Sequence, residues 1–126
     1  MERIEGIGGV FIRARDPAAL SEWYETHLGI TGTPGQWAPA GGTTVFATFA
    51  TLDAYFPIDR AFMLNFRVHD LDAMTAQLTA AGIEIRTDPE WDSEVGRFAR
   101  IHDPEGNPIE LWESSRTVRD HEVATS

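Results

Sequence analysis

The sequence predicts an α+β fold: two βαβββ modules in pseudo-two-fold arrangement, forming a curved mixed sheet around a cavity, with helices on the outer face. Three observations predict it. A capped helix recurs, with Asp16 and Asp70 54 residues apart and Gly29 and Gly82 53 apart. An arginine, Arg13 or Arg67, stands three residues before each capping Asp. Each helix is followed by short runs with the period-two alternation of strands. Repeats of this length also build solenoids, but only two copies fit in 126 residues. Each helix must bury an apolar side against a sheet, which leaves the other sheet face to curve around a cavity.

The first module covers about residues 4–57. "GGVFIRAR" (8–15) alternates Val10, Ile12 and Ala14 with Gly9, Phe11 and Arg13 and reads as a strand. "DPAALSEWYETHLG" (16–29) reads as a helix with marked ends: Asp16 caps it, Pro17 takes the first turn, and Gly29 stops it. Leu20, Trp23, Tyr24, His27 and Leu28 fall on one side of it. "TGTPGQWAPAGG" (31–42) reads as loop with short edge strands, and "TTVFATF" (43–49) as a strand.

The second module covers about 60–115. "AFMLNFRV" (61–68) places Met63, Asn65 and Arg67 on one face and Leu64, Phe66 and Val68 on the other. Asp70 caps a helix whose buried side is Leu71, Met74, Leu78 and Ala81, and Gly82 ends it. "IEIRT" (83–87) reads as a short strand. "EVGRFARIHD" and "NPIELWE" form a hairpin around "DPEG", with Pro104 pre-set for the turn and Gly106 free to take positive φ. If Asp103 faces Asn107, then Arg100 faces Glu110 and Phe98 faces Trp112; a slip of one residue breaks that pairing. Residues 116–126 read as a polar, frayed tail. Residues 1–115 are thus expected to form one domain.

Composition narrows the function classes. Hydrophobic residues make up 42% and charged residues 24%, ordinary for a globular protein. No apolar run is long enough to span a membrane, and the start "MERIEGIGGV" has no signal pattern, so a cytoplasmic protein is expected. Twenty acidic residues against ten basic ones, all Arg, give −10 and argue against nucleic acid as a partner. The absence of cysteine removes thiolate ligands and thiol nucleophiles.

The stretches "GIGGVFIRARDPAALSEWYETHLGI", "MLNFRVHDLDAM" and "RIHDPEGNPIELWE" resemble the vicinal oxygen chelate superfamily of glyoxalases, bleomycin-resistance proteins and extradiol dioxygenases. With the repeat, the resemblance covers residues 4 to about 115. It implies a common fold more than a common activity, because the fold hosts isomerases, dioxygenases, transferases and drug binders. In metal-dependent members, ligands come from the first and last strand of each module. Carried onto this chain, those positions fall on Gly9, Ala47 (give or take one residue), Met63 and Glu110. Only Glu110 keeps a ligand type, and one carboxylate does not make the three-ligand site such catalysis needs. No metal and no cofactor are therefore expected. Of the four histidines only His102 lies near Glu110, at the turn. Arg13 matches the position where glyoxalases hold a substrate carboxylate.

Alternation from the lost ligand positions then lists what faces the cavity: Phe11 and Arg13; Met63, Asn65 and Arg67; Phe98 and Arg100; Glu110 and Trp112. Aromatic walls with a few polar groups suit a small-molecule site. The same aromatics also suit a filled core. Inward guanidinium groups need carboxylate partners or an anionic ligand, so Glu110 is expected to pair with an arginine, Arg100 first, or to act as a general base. Trp37, Tyr55, Phe56 and Trp91 either line the cavity mouth or form a dimer surface. The sequence thus points to metal-independent binding of a small organic molecule, a drug or metabolite, by a homodimer. The alternatives are a glyoxalase- or lyase-like enzyme, with an atypical metal site or Glu110 as base, and a partner-binding dimer with a filled cavity.

Overall fold

A computed structural model describes residues 1–31 and 37–125, so residues 32–36 of the Gly/Pro-rich stretch, where edge strands were expected, lie outside the described residues. In chain order the elements of the described residues are α1 (Pro17–Leu28), β1 (Leu64–Arg67), α2 (Leu71–Ala80), β2 (Gly96–His102), β3 (Pro108–Ser114) and α3 (Arg116–Thr125), with a 3-10 turn at Pro89–Trp91. The sheet order is β1-β3-β2. β1 runs parallel to β3 and β2 antiparallel to it.

Both helix ends form as their residues dictate. Asp16 Oδ1 accepts the Ala19 amide at 3.1 Å, and Asp70 Oδ1 accepts that of Ala73 at 3.0 Å. Gly29 takes φ +68°, the left-handed value that lets its amide fold back onto the Glu25 carbonyl. Past Gly82, the Ile83 amide returns to the Leu78 carbonyl at 3.0 Å.

The two helices share one core. Leu20 and Tyr24 of α1 cluster with Leu71 and Leu78 around α2 and with Ala99, Ile101, Ile109 and Leu111 of the sheet. The last four are fully buried. Alternation along β3 puts Ile109 and Leu111 on this face and Glu110 and Trp112 on the opposite one.

Three differences from the sequence reading stand out. The first module has its helix, but the 8–15 and 43–49 segments carry no strand ladder. Ile12 and Ala14 still pack against the core, whereas Phe11 is 95% and Phe46 89% exposed. Alternation marks a segment that is able to pair; a strand forms only where a neighbouring edge accepts its backbone groups. Next, the expected 83–87 strand is reduced to one antiparallel bridge, Arg86 to Arg100, beside β2. Finally, the expected frayed tail is helix α3. Its first turn is tied down by Ser115, whose hydroxyl accepts the Val118 amide at 3.3 Å and whose carbonyl accepts that of Arg119 at 3.1 Å.

Candidate functional site

The hairpin sets the geometry. The turn after β2 is built around Asp103, whose Oδ1 accepts the amides of Glu105 and Asn107, each at 2.9 Å. Its Oδ2 accepts the Asn107 side-chain amide at 2.8 Å and the Tyr24 hydroxyl at 2.7 Å. Arg60 closes over the turn, donating to the Glu105 carbonyl at 3.3 Å and to Asn107 Oδ1 at 3.4 Å. This turn fixes the register, so Arg100 stands opposite Glu110 and Phe98 opposite Trp112. The parallel pair adds Asn65 beside Glu110 and Arg67 beside Trp112. One face therefore carries Asn65, Arg67, Phe98, Arg100, Glu110 and Trp112.

At its centre lie two buried charged residues, Glu110 and Arg100, 7% and 5% exposed. They do not form the direct ion pair expected from the sequence. Glu110 Oε1 accepts the Asn65 side-chain amide at 2.8 Å, and Oε2 accepts the hydroxyl of Tyr55. Arg100 lies against two aromatic rings, its guanidinium carbon 5.1 Å from the Tyr55 centroid and 5.2 Å from that of Trp91. Its Nη2 donates to the Tyr55 carbonyl at 3.0 Å, while Nε is buried with no hydrogen-bond partner among the described residues. Tyr55 thus serves both charges. Burial, and next the hydrogen bond to Glu110, push its phenol up to about 12, against a smaller opposing pull from Arg100.

The flanks are organised differently. Phe98 and Trp112 stack with ring centroids 6.2 Å apart at 7°. The Trp112 indole N–H donates to the Val95 carbonyl at 3.0 Å, which aligns that pair with the start of β2. Arg67, the second choice as partner for Glu110, instead donates to the carbonyls of Ala40 and Gly41 at 2.7 and 2.9 Å. The neighbouring Thr43 amide donates to the Glu122 carboxylate of α3. Met63 is half-buried just before β1, and Phe11 and Arg13 are exposed and do not join the buried cluster. His102 sits exposed at the end of β2, held below the usual histidine range by partial burial and then by the cations of Arg100 and Arg86.

The cluster is covered. Tyr55 and Trp91 lie over it, and Tyr55 stacks on Phe49 at 5.7 Å. Two open grooves, of about 360 and 310 Å³, lie beside Trp23, Arg86 and His102 and between α2 and the Asp88–Asp92 turn; the second reaches the site face only at Phe98. The part played by Tyr55 was invisible to periodicity, because it lies in a connecting segment; its only signal was an aromatic residue in a stretch with no helix or strand pattern.

A divalent ion does not fit this donor set. Glu110 meets a phenol O–H and an amide N–H, both donors, and a guanidinium lies across from it. Among the described residues, no three His, Cys, Asp or Glu side chains come together as metal ligands.

Comparison with known proteins follows the same outline. Residues 9–112 match the family described as a glyoxalase-like domain. An antibiotic binding protein from Streptomyces sp. CB03234, TnmS3, superposes with a TM-score of 0.62 at 25% identity, over 91% of this chain and 100% of that one. A member of the glyoxalase/bleomycin resistance protein/dioxygenase superfamily from Sphaerobacter thermophilus DSM 20745 superposes with a TM-score of 0.54 at 19% identity, over 88% of this chain and 98% of that one. That second likeness speaks to the fold alone. No curated protein matches the chain.

Proposed function

This chain belongs to the glyoxalase-like domain family, within the vicinal oxygen chelate superfamily, and from that premise we propose that it binds a small organic molecule without a metal. The ligand seats on the Glu110 face, in the manner of drug- or metabolite-sequestering members. The observation that carries this reading is the buried Glu110–Arg100 centre, roofed by aromatic rings and served by a side chain from a connecting segment. A charged pair of this kind is costly to bury, and a hydrophobic pair would stabilise a filled core at least as well. Its presence favours a recognition role. Similarity over the full length of an antibiotic binding protein supports the same reading.

We read the active unit as a homodimer. Phe11, Val45 and Phe46 stand exposed on segments that have no strand partner among the described residues, which supports a second copy as their cover. No described helix is long and apolar enough to cross a membrane.

The test is a thermal-shift screen of antibiotics, aromatic acids and thiol conjugates, run with a metal chelator present. A compound that binds only the folded state raises the melting temperature. The expected result is a shift that survives the chelator and is lost in Arg100→Met. A shift that requires added Ni, Zn, Fe or Mn would contradict metal independence. So would near one equivalent of such a metal per chain in elemental analysis.

A further inference from the structure

Tyr55 is bonded as a ligand would be. Its hydroxyl donates to the buried Glu110 carboxylate, and its own carbonyl accepts from Arg100 at 3.0 Å. Its ring lies under the Arg100 guanidinium and packs edge-on to Trp91 at 6.2 Å. The segment that carries it is held by its own turns, Asp53 N to Ala50 O and Arg60 N to Pro57 O, with Tyr55 N on Asp53 Oδ1. No backbone ladder ties it to the sheet. Withdrawing Tyr55 therefore breaks side-chain contacts and leaves two needs behind. Glu110 needs an O–H or N–H donor in place of the phenol. Arg100 needs an acceptor in place of the carbonyl, and its buried Nε has room in its hydrogen-bonding for a second one.

We infer that the ligand of this site is a neutral phenol joined by a short linker to an amide or ketone carbonyl, and that it displaces Tyr55 by reproducing its bonds. The inference rests on the ligand-binding reading above. Neutrality follows from charge accounting: Glu110 and Arg100 already balance, and Arg67 is engaged by two carbonyls. A free carboxylate would bring an uncompensated charge beside Glu110. The phenol must keep its proton, because Glu110 accepts it.

The probe is N-acetyl-tyrosinamide, compared with N-acetyl-phenylalaninamide, which lacks the hydroxyl, and N-acetyl-tyrosine, which is anionic. Binding to the full chain is followed by the fluorescence of the tryptophans and by thermal shift. The tyrosinamide should bind at least about ten-fold more tightly than either comparison compound, the size of one lost bond to a charged acceptor. Tyr55→Phe frees Glu110 from its internal donor and should tighten tyrosinamide binding several-fold. Tyr55→Ala should be stabilised by p-cresol and not by toluene. Equal binding of the phenyl and phenol compounds, tighter binding of the anion, or weaker binding to Tyr55→Phe each overturns the inference. If compounds from the wider screen shift the melting temperature in an Arg100-dependent way while the phenols do not compete, the phenol class falls and the binding site stands. If no compound binds in an Arg100-dependent way, both fall.

Discussion

Asp103 accepts the Tyr24 hydroxyl at 2.7 Å across 79 residues of chain, so the first helix is fastened to the last hairpin by one buried hydrogen bond. Burial, and after it Asp103, push the Tyr24 phenol well above the ordinary tyrosine range. Tyr24→Phe keeps the ring but leaves Asp103 one donor short. The expected loss is about 1–3 kcal/mol of folding stability, read as a lower midpoint in urea unfolding with an unchanged slope. A stability equal to that of the parent would show that the remaining three donors to Asp103 suffice.

Glu110→Gln changes an all-acceptor group into one with a single acceptor oxygen and an NH2. Asn65 and Tyr55 both donate to it now. One of the two bonds must be lost or reversed, and Arg100 loses its nearby countercharge. We expect a loss on the order of 1–3 kcal/mol, measured by thermal or chemical unfolding. If Glu110 were instead a general base, turnover would vanish while stability stayed nearly intact.

Gly96 opens β2 with φ +145°, in a region side chains rarely adopt. A Cβ there would meet the Glu113 carbonyl oxygen and would lie 2.6 Å from the Trp112 indole nitrogen. Backbone on one side and a hydrogen-bonded indole on the other leave little room to relax. Gly96→Ala should therefore cost roughly 2–4 kcal/mol and disturb the Phe98–Trp112 stack, visible as altered near-ultraviolet circular dichroism. Unchanged stability would mean that β2 can begin one residue later.

The chain has two tyrosines. In Tyr24→Phe, phenolate absorbance reports Tyr55 alone, and its midpoint should lie near pH 12 rather than near 10.0. The folded protein holds this proton more tightly than the unfolded chain does. Its stabilising contribution is therefore complete below about pH 10 and is lost as pH rises towards about 12. Glu110→Gln should bring the midpoint down, because the charged acceptor is gone. A Tyr55 midpoint at the ordinary value would place the phenol in water and break its link to Glu110.

Much of the second half was legible in the sequence, because local chemistry decided it. Asp70, Gly82 and the Asp103–Asn107 turn specify ends and register within a few residues of where they act. The register then carried Arg100, Glu110, Phe98 and Trp112 onto one face. The first half read less well. Its 8–15 and 43–49 segments alternate as strands do, yet pairing depends on an edge that alternation cannot name. The partners of Glu110 were misread for a related reason. Charge accounting favoured arginine, but Tyr55 reaches the carboxylate from a segment 55 residues away, and no periodic rule places a connecting segment over a sheet. The helix at 116–125 was missed because its polar composition resembles a loose end, although Ser115 supplies a helix start.

The shared core of α1 and α2 bears on how the protein is made. Leu20 and Tyr24 dock onto residues that run from Leu71 to Leu111, so α1 cannot complete its packing until β3 has been made. At about 5–20 residues per second that wait is on the order of ten seconds, during which the apolar side of α1 is open to chaperones. Nascent chains halted before α2 should show α1 fully accessible to protease, and chains that extend past β3 should show it protected. Protection of α1 in the shorter chains would mean that the first segment has an early partner of its own.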